Sequence, residues 1–566
     1  MKKFRWQILI ILLTGLVVGI LLLSEQPEGV TQIVPEPVTG GFYTEALIGS
    51  IQRLNPILDF YNPADRDVDR LLYSRLLSFD ERGIPVPDLA ASWGISQDGT
   101  IYNFEIRPEA KWHDGQPLTA ADIVFTIELL RNGGEIVPAD LQRFWRDVEV
   151  VQLSETLIQF KLPEPFAPFL DYLTFGVVPQ HLLGGRTIDQ IRDLQFNIQP
   201  VGSGPYRFDQ LIVEDGQIVG VSLLAFEDYY GKKPFIPQVI FRYFPDAASA
   251  LQAYQADRVM GISSISEDVL ASALAERDLA IYTGRKPELS LILFNHKNPE
   301  AGFLQNPEIR RALYLGINRQ YLVDRVLGGQ AILADGPIFP GTWAYYDGLP
   351  RVNYDPERAR QILIDAGYSL PAEGGEVRIG KDGDALQFTM LVPDTARYRA
   401  LAEAIQQDWA ALNVQVTLEF LPYPDIIEQH LTPRDYQAAL VDLNFTRSPD
   451  PDPYPFWDSI QATGGQNYTQ WDHKIASEYL EEARITLDLN ERARLYRNFQ
   501  VIFADELPAL PLFYPVYNYG VDRQVQGVRM GPLLESSDRF TTLLEWYLSS
   551  RPAAVTPTPW FQDFDQ

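Results

Sequence analysis

Alternation of apolar and polar residues predicts strands at two widely separated places in the chain. In residues 100–106, TIYNFEI, the apolar side chains include Ile101, Phe104 and Ile106. In residues 414–420, VQVTLEF, apolar side chains occupy every second position. Successive side chains of a strand point to opposite faces, so both segments are typical of half-buried strands.

Apolar residues at helical spacing predict helices between such strands. Directly before the second strand, four of them recur every three or four positions: Leu401, Ile405, Trp409 and Leu412. Two further segments carry helix start signals, because Asn306-Pro307 and Asp355-Pro356 each place a capping side chain before a proline at the first helical position. Strands and helices mixed over this length indicate a large α/β body.

The stretch at 107–122, RPEAKWHDGQPLTAAD, places a histidine beside an aspartate and raises the question of a catalytic site. Asp114-Gly115 is a turn dipeptide. Thr119 and Asp122 have the spacing of a capping box at the start of a helix. A catalytic histidine needs a nucleophile within reach, and the sequence identifies none. We therefore interpret His113-Asp114 as part of a turn.

Length and charge narrow the class of protein. The chain has 566 residues, and single hydrophobic cores stop growing near ~250–300 residues, so two or three domains are expected. Lys and Arg total 47 against 75 Asp and Glu, which gives a formal charge of −28. Nucleic acids and anionic membrane surfaces favour clustered basic residues, so neither is an expected partner. The absence of cysteine excludes disulfides and thiolate chemistry.

Both ends of the chain have the composition of segments outside a folded body. Residues 1–7 are basic, and residues 8–23 form an uncharged apolar run without a small-x-small cleavage pattern after it. We interpret 8–23 as an uncleaved membrane anchor that places the body outside the cytoplasm; a cleaved signal peptide is the alternative, and it also exports the protein. Residues 24–39 are expected to be a flexible stalk and residues 551–566 a proline-rich tail.

One long segment, PDLAASWGISQDGTIYNFEIRPEAKWHDGQPLTAADIVFTIELL, resembles the signature of the family 5 solute-binding proteins of ABC importers, the oligopeptide-, dipeptide- and nickel-binding type. Further blocks resemble the family in the same order: GVVPQHLL, QPVGSGPYRF, LFNHKNP, NPEIRRALYLGINRQYLV, YDPERARQILIDAGY and ERARLYRNFQVIFADELPALPLFYP. The resemblance extends over nearly everything between the expected stalk and tail.

The resemblance implies an α/β, type II periplasmic-binding-protein fold, with two lobes joined by a hinge and an extra subdomain on lobe 1. The expected ranges are 40–78, 200–285 and 511–550 for lobe 1, 79–199 for the extra subdomain and 286–510 for lobe 2. It also implies a monomer that captures a peptide or similar small solute between closing lobes and delivers it to membrane permease subunits. No covalent step is involved, so the protein is not expected to be an enzyme.

Other readings stay open. The same fold binds oligosaccharides in some family members, and a membrane-tethered sensor without transport is a further alternative. Nickel is disfavoured because the histidines are scattered without paired spacing; they are His113, His181, His296, His430 and His473. We therefore expect neither a metal nor a cofactor. No hydrolase, zincin or P-loop motif is present.

The resemblance also indicates ligand-binding residues in lobe 2. In peptide-binding members, a Trp is followed three residues later by an Asp that binds the peptide amino group. In the corresponding segment at 441–460, VDLNFTRSPDPDPYPFWDSI, Phe445 takes the Trp place and Ser448 the Asp place, next to Arg447. This departure weakens the case for peptides. Asp450 or Asp452 is a candidate replacement for the carboxylate; a pair with Arg447 or a merely rigid loop are the alternatives.

Further candidate ligand-binding residues come from three other segments. Tyr61 and Asn62 lie where lobe 1 is expected to line the cleft. Trp343 and Tyr345 stand on a Gly/Pro-rich loop, where aromatic side chains often serve as ligand platforms. Asn295 follows an apolar strand near the expected hinge. Ordinary packing is the alternative for each of them.

Overall fold

The computed structural model describes residues 13, 14, 16 and 32–555, except residues 373, 447, 448 and 532. The expected anchor therefore lies almost wholly outside the described residues, and so do Arg447, Ser448 and the tail from residue 556. Among the residues described, no helix has both the length and the apolar character needed to cross a membrane.

Twenty strands are described, and they form four sheets. In chain order they are β1 (Gln32–Val38), β2 (Tyr43–Ile48), β3 (Leu77–Phe79), β4 (Pro85–Pro87), β5 (Ala90–Ile95), β6 (Ile101–Ile106), β7 (Glu149–Gln152), β8 (Leu157–Lys161), β9 (Tyr206–Glu214), β10 (Gln217–Ala225), β11 (Gln238–Phe244), β12 (Gly261–Ile262), β13 (Leu279–Arg285), β14 (Glu288–Phe294), β15 (Ala331–Leu333), β16 (Gln387–Pro393), β17 (Gln415–Leu421), β18 (Ala438–Asn444), β19 (Ala509–Asp522) and β20 (Ser549–Val555).

Fifteen α-helices within the described range pack on these sheets. They are α1 (Pro63–Leu72), α2 (Ala120–Arg131), α3 (Ala139–Asp147), α4 (Gln180–Leu183), α5 (Ile188–Arg192), α6 (Ala247–Gln255), α7 (Glu267–Ala275), α8 (Pro307–Leu315), α9 (Arg319–Tyr321), α10 (Pro356–Asp365), α11 (Ala396–Ala410), α12 (Tyr423–Asp425), α13 (Tyr454–Trp457), α14 (Lys474–Ile485) and α15 (Leu489–Glu506). Short 3₁₀ and π segments lie between them; one of these, Ala167–Leu173, contains Asp171.

The largest sheet has twelve strands and two regions. One region, here called lobe 1, contains β2 and β9 to β13, with β2 parallel to β11 and β12. The other, lobe 2, contains β14 to β18, with β16 parallel to β17 and β18. The long strand β19 belongs to both, because its first half pairs with β14 and its second half with β13.

The segment expected to form the extra subdomain, residues 79–199, contains the antiparallel sheet β5-β6-β8-β7 and helices α2 to α5. Its buried aromatic residues, such as Trp112 and Trp145, join one hydrophobic core with lobe 1 residues such as Tyr43 and Tyr206. Lobe 2 has two cores of its own. Lobe 1 has a second core around α6 and α7. Within the described residues, the lobe 2 cores share no buried residue with the others, so packing divides this part of the chain into two bodies: lobe 1 with the extra subdomain, and lobe 2.

The stretch at 107–122 forms the expected turn and helix start. Gly115 adopts φ +87°, and the Asp122 carboxylate accepts the Thr119 N–H at 2.9 Å. His113 also has a structural contact that the sequence did not reveal. Its Nδ1 accepts the Gly202 N–H and its Nε2 lies 3.1 Å from the Gly204 carbonyl oxygen, so the ring joins the extra subdomain to lobe 1.

The expected stalk and tail are shorter than their composition suggested. Strand β1 pairs antiparallel with β20, and Gln32 lies opposite Val555. Prolines at 35 and 37 are compatible with this pairing because residues two apart direct their missing N–H to the same side, which in a two-stranded sheet can be the free edge. For these residues, pairing replaces the flexible conformation that we expected.

Candidate functional site

Lobe 2 meets the extra subdomain along a polar contact surface. The Asp450 N–H donates to Asp171 Oδ2 at 2.6 Å, and the Trp343 N–H donates to the Arg82 carbonyl oxygen at 3.1 Å. We call this surface the interlobe face. It comprises Trp343, Asp450, Asp452, Arg484 and Arg492 of lobe 2 and Arg82, Phe166 and Asp171 of the extra subdomain. Three of the residues expected to bind ligand, Trp343, Asp450 and Asp452, are brought together here.

Arg492 of α15 organises the lobe 2 side of this face. Its guanidinium binds both carboxylate oxygens of Asp450, at 2.6 and 3.0 Å. Its Nε donates to the Ala483 carbonyl oxygen at 2.8 Å, and Nη2 lies 3.1 Å from the Tyr496 hydroxyl. The side chains of Arg492 and Asp450 are only 4% and 7% exposed. Because its negative charge is neutralised inside lobe 2, Asp450 is poorly suited to bind a peptide ammonium group.

Arg492 also contacts an aromatic side chain that we expected to bind ligand. The guanidinium carbon lies 4.9 Å from the centroid of the Trp343 ring, a cation–π contact. Trp343 is 7% exposed, so in this arrangement it forms part of the wall between lobe 2 and the extra subdomain.

Asp452 forms an ion pair with a second arginine through one contact. Arg484 Nε lies 3.0 Å from Asp452 Oδ2, and the other carboxylate oxygen accepts the Tyr454 N–H at 3.0 Å. Burial raises the pKa of Asp452, while Arg484 opposes that shift. The Arg484 guanidinium lies between the rings of Tyr454 and Phe166, 4.1 and 4.9 Å from their centroids. Arg484 thus connects lobe 2 with the extra subdomain.

Asp171 is the acidic group of the extra subdomain on this face. Burial raises the pKa of its carboxyl well above the usual value, and the negative charge of Asp450 raises it further. The hydrogen bond from the Asp450 N–H and the positive charge of Arg492 act in the opposite direction. An N–H donor favours the ionised carboxylate, whereas loss of water favours the protonated one, and here desolvation is the largest effect.

Phe445 and Tyr345 lie on lobe 2 beside this face. Phe445 is buried and packs against Phe339 and Phe456, with ring centroids 4.9 and 5.0 Å apart. Its N–H donates to the Pro287 carbonyl oxygen, close to the crossover between the lobes. Tyr345 is partly buried, which raises the pKa of its hydroxyl.

The remaining expected ligand residues lie elsewhere. Asn62 caps α1 through the Ala64 N–H and donates to Ser50 and Asp65, so its amide is occupied, whereas the neighbouring Tyr61 is 75% exposed. Asn295 is buried, and its amide holds the segment 434–436. It stands at the end of β14 away from the crossover, not near it, because β14 runs from the crossover to Phe294.

Five residues of this face were not anticipated: Arg82, Phe166, Asp171, Arg484 and Arg492. None of them lies in a segment with a chemical motif, and no local signal pairs Arg492 with Asp450 across 42 positions of sequence. Among the described residues, no group of three or more His, Asp or Glu side chains is arranged to hold a metal ion.

The sequence of this chain is similar to those of known binding proteins. The family model for bacterial extracellular solute-binding proteins, family 5, matches residues 85–468. The dipeptide-binding protein of Escherichia coli K12 is 27% identical over 512 residues, covering 86% of this chain and 91% of that protein. The oligopeptide-binding protein AppA of Bacillus subtilis 168 is 26% identical over 506 residues, covering 88% and 90%.

The fold is shared with solved structures as well. The structure of HbpA2 from Haemophilus parasuis superposes with a TM-score of 0.76 at 21% identity, covering 91% of this chain and all of that one. This confirms the expected α/β, type II periplasmic-binding fold with two lobes and an extra subdomain. The chain belongs to the family 5 bacterial extracellular solute-binding proteins.

Proposed function

We propose that this solute-binding protein captures peptides between lobe 2 and the body formed by lobe 1 and the extra subdomain, and delivers them to the permease of an ABC importer. The observation that carries the proposal is the packing. The two bodies share no buried core residue, and they meet on a face that carries hydrogen bonds and charged side chains. Such faces separate more readily than apolar ones. The dipeptide- and oligopeptide-binding relatives support peptides as the ligand class.

The proposed division of the chain is 40–78, 200–285 and 511–550 for lobe 1, 79–199 for the extra subdomain and 286–510 for lobe 2. Tyr61, Tyr345 and Phe445 are the proposed aromatic contacts to the peptide. Arg447, two positions after Phe445 in the sequence, is a further proposed contact. Asp450 and Asp452, each paired with an arginine, shape the wall of the site and leave the peptide amino group to another acceptor.

We further propose that the protein acts outside the cytoplasm as a monomer, tethered through residues 8–23, and that it catalyses no reaction. Its partners would be the peptide and the membrane permease subunits. The family is one of extracellular binding proteins, which supports the location; the apolar run that follows Lys2, Lys3 and Arg5 supports the tether.

Native mass spectrometry of a soluble form beginning at residue 30 tests the proposal. Spectra are recorded as purified and after addition of pooled di- to pentapeptides, and peptide adducts are expected. Ligand at a hundredfold excess over its dissociation constant also stabilises the folded state by about 2.7 kcal/mol, so the melting temperature should rise with the same pools. A protein that shows neither adducts nor stabilisation would contradict peptide capture, and oligosaccharide pools would be next.

Tyr61→Ala provides a site-directed check. Tyr61 is 75% exposed and Tyr321 of lobe 2 is 50% exposed, so removal of either ring should cost little stability. Loss of an aromatic contact of about 0.5–1.5 kcal/mol predicts a two- to tenfold weaker peptide affinity for Tyr61→Ala and an unchanged affinity for Tyr321→Ala. Equal effects of the two substitutions would argue against a contact at Tyr61.

A further inference from the structure

The contact between Asp171 and the loop around Asp450 uses groups of the protein alone. The Asp171 carboxylate accepts the Asp450 N–H at 2.6 Å, while both side-chain oxygens of Asp450 are held by Arg492. Arg492 is in turn fixed by the Ala483 carbonyl oxygen. The donor that meets Asp171 is therefore held in place by lobe 2 itself.

Two neighbouring contacts cross the same boundary. The Trp343 N–H donates to Arg82, and the Arg484 guanidinium lies 4.9 Å from the Phe166 ring centroid. Separation of the bodies would break these contacts and expose the Asp171 carboxylate to water. It would leave the Asp450–Arg492 pair intact, because both partners belong to lobe 2.

We propose that the Asp171 carboxylate, the Asp450 N–H and the positioning residue Arg492 form a clasp that holds the two bodies together without ligand. The clasp rests on the proposed function in one respect only: it assumes that the bodies open and close to admit a peptide. The clasp would keep a fraction of the unliganded receptor closed through contacts within the protein.

The charges around Asp171 make the clasp sensitive to pH. Asp450 and Asp452 face it from the loop of lobe 2, and Arg492 faces it from α15. Tyr172 follows it in the chain, and Arg484 of α14 acts on Tyr172 from lobe 2. Burial and the two aspartates raise the pKa of Asp171 when the clasp is closed, whereas in the open state its carboxyl is solvated. The closed state then binds the proton more tightly, so closure is favoured at low pH and weakens as pH rises.

Spin labels on either side of the face can report the clasp directly. The chain has no cysteine, so Asp189→Cys and Lys474→Cys, whose native side chains are 76% and 87% exposed, give one labelled pair. Inter-label distances are measured without peptide at pH 5 and pH 8. If closure raises the pKa of Asp171 by one unit, the closed-to-open ratio is up to about tenfold larger when Asp171 is protonated than when it is ionised. We expect the short-distance population to be larger at pH 5.

Asp171→Asn keeps an acceptor for the Asp450 N–H and removes the charge, so this variant should be closed to the same extent at both pH values. Asp140→Asn, which removes an exposed carboxylate of the same subdomain, should retain the wild-type pH dependence. Equal distances at pH 5 and pH 8 in the wild type would overturn the proposal. So would a pH dependence that survives in Asp171→Asn, or one that Asp140→Asn abolishes.

The clasp and the proposed function fail in different ways. A wild type that binds peptides but shows no pH-dependent distance refutes the clasp alone. A wild type whose distances change with pH as described, but which binds no peptide, supports the clasp and refutes peptide capture.

Discussion

Replacement of Arg492 by methionine is the most informative perturbation of the interlobe face. The side chain is 4% exposed and its partner Asp450 is 7% exposed, so methionine fills similar space but leaves a carboxylate buried without its counter-charge. Removal of one partner of a buried pair costs about 3–5 kcal/mol. The lost bonds to Ala483 and Tyr496 act in the same direction. We expect the free energy of unfolding of lobe 2 to fall by about 4 kcal/mol.

Urea unfolding followed by tryptophan fluorescence measures this change, because Trp343, Trp457 and Trp471 are all buried in lobe 2. The matched control is Arg494→Met on the same helix. Arg494 pairs with Glu491, but their side chains are 54% and 41% exposed, so the loss should stay below about 1 kcal/mol. If Arg492→Met and Arg494→Met lower the free energy of unfolding equally, the Asp450 charge does not depend on Arg492 for its stability in the folded state.

A double substitution separates the pair from general damage to the core. Asp450→Asn with Arg492→Met removes the uncompensated charge that Arg492→Met alone creates. Replacement of both partners of a buried pair is often close to neutral, so the double variant should recover a large part of the lost stability. If the two single costs simply add, the two side chains are not coupled.

The other predictions concern structural contacts. Burial lowers the pKa of His113 to about 4, from an ordinary 6.5. Between these two pH values the unfolded chain binds more protons than the folded chain, so the folded state loses stability as pH falls from 6.5 to 4. His113→Gln should therefore flatten this part of a profile of melting temperature against pH. Gly202→Ala should destabilise lobe 1 strongly in urea unfolding, because an added Cβ would lie 1.9 Å from the Leu72 carbonyl oxygen; Gly216→Ala, at a site with open space and φ +77°, should show only the smaller cost of backbone strain. Val38 lies opposite Ser549, so cysteines at both positions should form a disulfide on oxidation, detectable by mass, whereas cysteines at 38 and 551 should not.

Local signals in the sequence predicted local structure well. Asn306 and Asp355 cap α8 and α10 as their Pro-containing start signals indicated. The strand predicted at 414–420 is observed as β17, one residue later. These features depend on neighbours within a few positions of the chain, where capping and alternation act directly.

Long-range pairing determined what the sequence could not reveal. The proline-rich composition around Pro35 and Pro37 argued for a flexible stalk, but the partner strand lies about 500 residues further along the chain. Asp450 and Asp452 were candidates for binding the ligand in the sequence, and only the fold shows that their carboxylates are paired with Arg492 and Arg484. The sequence around a charged residue does not identify the distant residue of opposite charge that folding places next to it.

The two crossings between the lobes define where the molecule can bend. The chain passes from lobe 1 to lobe 2 after Arg285 and returns along β19, and the two crossings touch where the Lys286 N–H donates to the Pro515 carbonyl oxygen at 2.8 Å. Crossings that lie side by side can act as a single short axis, about which the two bodies rotate. Pro515 has no N–H, so β19 can flex at this joint without losing a donated hydrogen bond from that residue. A rotation there would separate the two bodies at the interlobe face, while the buried core of each body stays packed.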